Sequence, residues 1–253
     1  MFVDTHCHIH DSEFFSAEAA EEVYRRAREA NTAMLCIGTS QPDSRAAVEF
    51  TKIHDKTWAV VGVHPHEAKD GMADIGKLLA EKHASIVGIG EIGLDYYYDH
   101  SAKAEQIAAL EQQLQWAVDY DLPVSFHVRE AYEDFWPVFD NFHGIRGTLH
   151  SFTDSQTNLD KGFERGLYVS VNGISTFTKD AAQQKLFAGI PLERMLLETD
   201  APFLTPAPYR GTINEPTFVK EIATFHATLR GISLRDVEVA TTTNANALFR
   251  IDA

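Results

Sequence analysis

The chain carries 12 histidines among 253 residues, and their company is more telling than their number. His6-Cys7-His8 stands near the start, and His64-Pro65-His66 follows further along. Glu91 sits in the run Gly90-Glu91-Ile92-Gly93-Leu94-Asp95, and His127-Val128-Arg129, His150 and Glu198-Thr199-Asp200 complete the series. Neutral imidazoles and carboxylates are the ligands that divalent cations such as zinc, manganese and iron accept. Alternate residues of a strand share a side, so His6 and His8 point one way and Cys7 the other. The same alternation pairs His127 with Arg129 and Glu198 with Asp200. A single such pair is a weak signal. If His6, His8, Glu91, His127, His150 and Asp200 meet at one mouth, a cation is the natural compensation for burying so many polar groups. Six donors exceed what one tetrahedral ion with an open position needs. Two divalent ions (magnesium, manganese or zinc) sharing Glu91 as a bridging carboxylate are therefore expected. Gly88, Gly90 and Gly93 leave room around Glu91, and no lysine ends a strand-like run to offer a carbamate bridge instead.

The elements that must carry these residues form a repeating pattern. Strand-like runs fall at Phe2–Thr5, Ala33–Gly38, Trp58–Val63, Ser85–Glu91, Pro123–Val128, Gly147–Ser151, Leu167–Val171 and Arg194–Thr199. Several are continuously apolar, as parallel strands covered by helices are. Helical patterns lie between them. Ala20, Val23, Tyr24, Ala27 and Ala30 share one face, as do Ile107, Leu110, Leu114, Ala117 and Val118. Ser16 and Ser101 are placed to start helices, the second running from about Ala102 to Tyr120. Eight β–α repeats at this length, with no glycine-rich dinucleotide loop after the first, predict an α/β fold of the (β/α)8 TIM-barrel type. We read residues 1–253 as a single domain, since no linker or change of composition interrupts them. The candidate ligands then fall at strand C-termini, where barrels of this class build their sites. The proline-rich stretch Ala201–Pro216 follows the last strand. Asn214 is placed to cap a helix with Pro216 in its first turn, and a final helix runs to about Phe249.

Composition narrows the functions. With 22 basic against 37 acidic residues the net charge is −15, so a basic surface that holds long nucleic acid by general electrostatics is not expected. A phosphate substrate would have to be drawn locally, by cations or a few arginines. The longest uncharged run, Gly166 to Thr178, has 13 residues, short of a membrane span. No secretory signal is visible, and two cysteines, Cys7 and Cys36, make no disulfide framework, which points to a cytoplasmic protein.

Taken together the motifs resemble the TatD family of metal-dependent deoxyribonucleases, within the wider amidohydrolase-like barrels. The likeness runs through Val3-Asp4-Thr5-His6-Cys7-His8, Gly62-Val63-His64-Pro65-His66, Gly90-Glu91-Ile92-Gly93-Leu94-Asp95-Tyr96-Tyr97 and Pro123-Val124-Ser125-Phe126-His127-Val128-Arg129. It continues through His150-Ser151-Phe152-Thr153, Leu197-Glu198-Thr199-Asp200-Ala201-Pro202, Arg210-Gly211, Asn214-Glu215-Pro216 and Thr243-Asn244-Ala245-Asn246-Ala247-Leu248-Phe249. Asp154 departs from it, standing where the family commonly has glycine or another small residue. The resemblance implies a divalent-metal hydrolase that cleaves DNA, as single strands or frayed ends, with the six residues above as ligands. No membrane partner is implied, and the oligomeric state is left open.

On this reading Asp200 orients or deprotonates the attacking water, and Glu91 bridges the ions. His64 donates to a phosphate oxygen or the leaving group. Arg129 is a candidate phosphate clamp, with Arg210 as a second. Either arginine could instead pair with an acid, and His64 could be a structural histidine. Glu198 is expected to orient a histidine ligand. His10 and His66 are expected in loops without metal, Cys7 packed, and Tyr96-Tyr97-Tyr98 either stacked on a base or packed under a loop. The rival chemistry is a hydrolase of the same architecture acting on a carboxylic ester, amide or lactone. A rival of another kind is a metal- or nucleic-acid-binding protein without turnover.

Overall fold

The computed structural model describes residues 1–98 and 100–253. The apolar runs become strands and the periodic segments become helices. In chain order these are β1 (Phe2–Cys7), α1 (Ala17–Glu29), β2 (Thr32–Ile37), α2 (Gln41–Ile53), β3 (Thr57–Val61), α3 (Ala73–Ala80), β4 (Ile86–Asp95) and α4 (Lys103–Asp119). There follow β5 (Val124–Arg129), α5 (Tyr132–Phe139), β6 (Gly147–Leu149), α6 (Gln156–Glu164), β7 (Tyr168–Val171), α7 (Ile174–Phe177), α8 (Ala181–Gly189), β8 (Met195–Leu197), α9 (Val219–Arg230) and α10 (Leu234–Phe249). The strands stand in the sheet in chain order, β1 to β8. Among the described residues no helix is long and apolar enough to cross a membrane.

Met1–Cys36 and Ser151–Ala253 pack as one compact unit. Here β1 runs parallel to β2, with Val3 opposite Ala33, and β7 runs parallel to β8. The end of β1 also meets the segment after β8. Cys7 bridges Ala201, the His8 N–H donates to Ala201 O at 2.8 Å, and the Asp200 N–H donates to His6 O at 2.8 Å. Helices α9 and α10 lie against β1 and β8. Asn244 of α10 donates from Nδ2 to the carbonyls of Leu192 and Met195, which fixes the start of β8.

Ile37–His150 form the second unit. Strands β3 to β6 pair in parallel there, α2 covers β3, and α4 covers β4. The β4–β5 register shifts between Ile89 and Ile92, around Glu91. Such an irregularity re-aims a side chain at a strand end. Gly93 faces His127 in that ladder, and a Cβ on Gly93 would stand 1.7 Å from His127 O. Glycine is what lets the two backbones approach there.

Several expectations need correction. The buried face of α4 comprises Gln106, Ala109, Leu110, Gln113, Leu114 and Ala117, whereas Val118 is exposed and Ile107 only partly covered. The stripe is rotated because the two glutamines are inside, each satisfied by strand-end backbone. Gln113 accepts from the Val63 N–H at 2.7 Å and donates to Val63 O at 3.1 Å. Gln106 accepts from the Asp95 N–H at 2.8 Å and donates to Asp95 O at 3.0 Å. Two amides one helical face apart thus pin the strand ends after β3 and β4. Ser16 caps α1 as expected, accepting from the Ala19 N–H. Ser101 does not cap α4, whose cap position is Ala102. It donates instead to His66 O at 2.7 Å and accepts from the Lys69 N–H. Nor does Asn214 cap a helix. Its side chain turns back and donates to Thr199 O and Phe203 O, closing the loop after β8, while a short turn at Pro216–Phe218 leads into α9.

Candidate metal centre

Within the first unit, β1 delivers His6, and His8 lies just past its end. Their Nε2 atoms are 3.2 Å apart. Asp200 Oδ1 lies 3.7 Å from His6 Nε2 and 3.4 Å from His8 Nε2. Strand β8 ends at Leu197, so Asp200 belongs to the loop and not to the strand. Its φ of 60° is left-handed, which costs a residue with a side chain on the order of 1 kcal/mol. The bond from Asp200 N–H to His6 O holds it there. Beneath the three, the buried Asp4 carboxylate accepts from the N–H of His6 and of Thr199 and from the Thr199 hydroxyl. Burial pushes Asp4 well above the usual carboxylate range against those hydrogen bonds, and the Glu198 charge adds to the rise. Glu198 accepts from the Ser151 N–H at 2.8 Å and from Asn172 Nδ2, so it fastens the backbone directly after His150. Cys7 is fully buried and donates to Leu35 O.

In the second unit one oxygen gathers three imidazoles. Glu91 Oε1 lies 2.9 Å from His127 Nδ1, 3.5 Å from His64 Nε2 and 3.7 Å from His150 Nε2. His64 Nδ1 accepts from the His66 N–H, which leaves the proton of the neutral ring on Nε2, facing Glu91. Burial holds His64 well below the ordinary histidine value, and the neighbouring His127 lowers it further. Burial works against the His127 charge too, but hydrogen bonds to Asp95 and Glu91 outweigh it and raise that group.

Asp95, to which the sequence pattern assigns no role, joins two of the imidazoles. Its Oδ2 lies 2.8 Å from His127 Nε2 and 3.1 Å from His66 Nε2. Its Oδ1 accepts from the N–H of Tyr97 and Tyr98. Burial opposes its charge, yet the bonds from His127, His66 and the Tyr98 N–H outweigh that and keep it ionised well below the usual carboxylate range. The available signal was β4 itself. Strand β4 runs on past Glu91 to Asp95, so alternation places Glu91 and Asp95 on the same side, four residues apart.

The donor sets fit divalent cations. His6, His8 and Asp200 each offer a ligand atom within 4.8 Å of the other two, and so do His64, Glu91 and His127. Each set mixes imidazole with carboxylate, the donors that zinc, manganese and related ions take. His10 and His66 belong to neither set. Arg129 and Arg210 lie outside both sets, and among the described residues neither forms an ion pair with an acid. The Arg129 guanidinium lies 4.0 Å over the Tyr97 ring and 5.0 Å over that of Tyr98. Arg210 lies 3.9 Å over Phe177 and donates to Thr205 O, which ties down the loop after β8. The Tyr96 hydroxyl donates to Asp134. Asp154 accepts from the Ser155 N–H and from Asn158 Nδ2, an arrangement that secures the first turn of α6.

Parallel strands alternating with helices, with buried imidazoles and carboxylates at the strand ends, define a metal-dependent hydrolase of the (β/α)8 barrel type. The chain belongs to the TatD family: the family model described as TatD related DNase matches residues 3–250. A metal-dependent hydrolase of Bacillus subtilis, YabD, is 34% identical over the whole of both chains. A protein of Pantoea ananatis named 3'-5' ssDNA/RNA exonuclease TatD is 36% identical, covering 92% of this chain and 94% of its own. The solved structure of the TatD homologue YjjV from Escherichia coli superposes with a TM-score of 0.90 at 25% identity, covering 99% of this chain and 98% of that one.

Proposed function

We propose that the protein is a phosphodiesterase that releases nucleotides from an end of DNA, single-stranded or frayed, with two divalent ions. The observation that carries this is the grouping of imidazole with carboxylate at strand ends, His6 and His8 with Asp200 in one unit and His127 and His150 around Glu91 Oε1 in the other, held by dedicated backbone bonds. His6, His8 and Asp200 would hold one ion, and Glu91 and His127, with His150, the other. The name of the Pantoea relative supports nucleic acid as the substrate. When bound, such ions supply positive charge to the phosphate oxygens and lower the pKa of water at the site.

The chain's own groups supply the rest. Asp200 orients the attacking water and accepts its proton. His64, neutral with its proton on Nε2, donates toward the phosphate or the leaving oxygen. Asp95 holds the His127 ring in one orientation. Arg129 supplies a guanidinium to a non-bridging phosphate oxygen, set at a fixed height by the Tyr97 ring. Water adds to phosphorus and gives a proton to Asp200, and the P–O ester bond breaks. The departing oxygen takes its proton from solvent water or from Asp200, while neutral His64 keeps its Nε2 proton and offers only a hydrogen bond. In a barrel of this class active sites are built at the strand C-termini.

The test is a panel of single-stranded DNA, duplex DNA, RNA and simple esters, run on metal-stripped protein with magnesium, manganese or zinc restored separately. Metal-dependent release of nucleotides from single-stranded DNA is expected, abolished by His127→Ala and by Asp200→Ala with the fold intact by circular dichroism. Full activity in either variant, or turnover confined to esters, contradicts the proposal.

A further inference from the structure

Two phenylalanines stand in the open beside the first donor set. Phe14 is 44% exposed and Phe203 is 45% exposed. Their rings meet edge to face, with centroids 5.0 Å apart and planes at 82°. The Phe203 ring centroid lies 6.5 Å from that of His8. Both rings hang from the backbone of the candidate ligands. The Phe203 N–H donates to Asp200 O at 2.8 Å. On the other side the Asp11 N–H donates to His8 O at 3.0 Å, and the Phe14 N–H donates to Asp11 O at 3.2 Å. Short backbone bonds therefore fix the position of the pair relative to His8 and Asp200.

Leaving two large apolar rings in water forfeits the stabilisation that burying them would give. Neither has a polar end to justify exposure, as tyrosine or tryptophan would. Perpendicular rings form a corner, with one open face and a wall beside it. The matching ligand chemistry is a flat heterocycle, and nucleobases stack on aromatic faces whatever their sequence. Two other exposed aromatic rings are already engaged. Tyr97 carries the Arg129 guanidinium, and Tyr209 is stacked on Phe218 with centroids 4.5 Å apart.

We propose that Phe14 and Phe203 form a stacking platform for the nucleobase adjoining the phosphate at His6, His8 and Asp200. This rests on the phosphodiesterase reading and adds what that site recognises. A corner of two hydrocarbon rings reads the plane of a base and not its hydrogen-bonding edge. It accepts all four bases alike and discriminates against a residue that has lost its base.

The experiment compares single-stranded oligodeoxynucleotides in manganese that differ at one terminal residue, placed at the 3' or the 5' end. That residue is a normal nucleotide, an abasic one, or 2-aminopurine, whose fluorescence is quenched by stacking. For the wild type, kcat/KM is expected to be about tenfold higher with the base than without it, in keeping with stacking on an aromatic side chain. The 2-aminopurine signal should be quenched on mixing, before turnover. Phe14→Ala and Phe203→Ala should bring the ratio close to one and abolish the quench, whereas Phe203→Tyr should retain both. Cleavage by the wild type with no preference for the base, or an undiminished preference in both alanine variants, overturns the platform and leaves the phosphodiesterase reading standing. Failure of the wild type to cleave either strand overturns that reading and the platform with it.

Discussion

Asp95 Oδ2 lies 2.8 Å from His127 Nε2, on the side of the ring away from Glu91. A carboxylate behind a ligand histidine fixes its tautomer and raises its basicity, and losing one typically costs ten- to a hundredfold in metal affinity. Asp95→Asn keeps the shape and an oxygen for the Tyr97 and Tyr98 N–H groups but removes the charge. It is expected to weaken manganese or zinc binding by about ten- to a hundredfold, read by competition with a chromophoric chelator. Unchanged affinity would remove Asp95 from the account.

Gly93→Ala tests the close approach of β4 and β5. The added Cβ would fall 1.7 Å from His127 O, at a backbone φ of +152° that side chains rarely adopt. The strands must part at the residue that carries a candidate ligand. A loss of about 2–4 kcal/mol in urea unfolding is expected, together with weaker metal binding. A stable variant with full metal affinity would show that the ladder tolerates the gap.

The buried glutamines of α4 give a third test. Gln113→Leu preserves volume but leaves the Val63 N–H and carbonyl without the partners they now have. Two such losses should cost about 2–5 kcal/mol. The end of β3, which leads directly to His64, should loosen, and faster amide exchange at Val63 and His64 is the accompanying readout. A change below about 0.5 kcal/mol, typical of an unremarkable surface site, would contradict the assigned role.

The fold was legible where pattern and burial agree. All eight strands were expected, because covered parallel strands keep nearly unbroken apolar runs such as Thr32–Ile37. The candidate donors stand out in the sequence because alternation and the polarity of a barrel put them at or just past strand ends. What escaped notice were polar groups doing structural work inside. Gln106 and Gln113 violate the apolar stripe because strand ends need amide partners, and no periodicity reports that need. Asp95 was hidden because β4 was expected to stop at Glu91, four residues early. Ser101 and Asn214 had the right residue types for helix caps. Each satisfies loop backbone instead, a choice made by distant neighbours such as His66 and Thr199.

His226 links stability to pH at a distance from the donor sets. It is buried on α9, with Nε2 3.2 Å from Ser175 Oγ and Nδ1 without a hydrogen-bond partner among the described residues. Burial, and after it the Arg230 charge, lowers its pKa from 6.5 to about 3. The unfolded chain therefore takes up a proton below pH 6.5 that the folded chain refuses. This contribution to stability is intact above 6.5 and declines as pH falls, by roughly 1.4 kcal/mol per unit until about 3. Between pH 6.5 and 5 the loss is roughly 2 kcal/mol. His226→Gln, neutral throughout, should unfold in urea with a visibly shallower dependence on pH over that interval. Identical dependence in the two proteins would mean that His226 is protonated in the folded state.

Metal content per chain, measured by plasma mass spectrometry after equilibration with manganese or zinc and gel filtration, addresses the central claim most directly. Two equivalents are expected for the wild type, about one for a variant with both His8→Ala and Asp200→Ala, and about one for Glu91→Gln combined with His127→Ala. A wild-type chain that retains no metal, or variants that retain as much as the wild type, would contradict the assignment of these residues as the cation-binding groups.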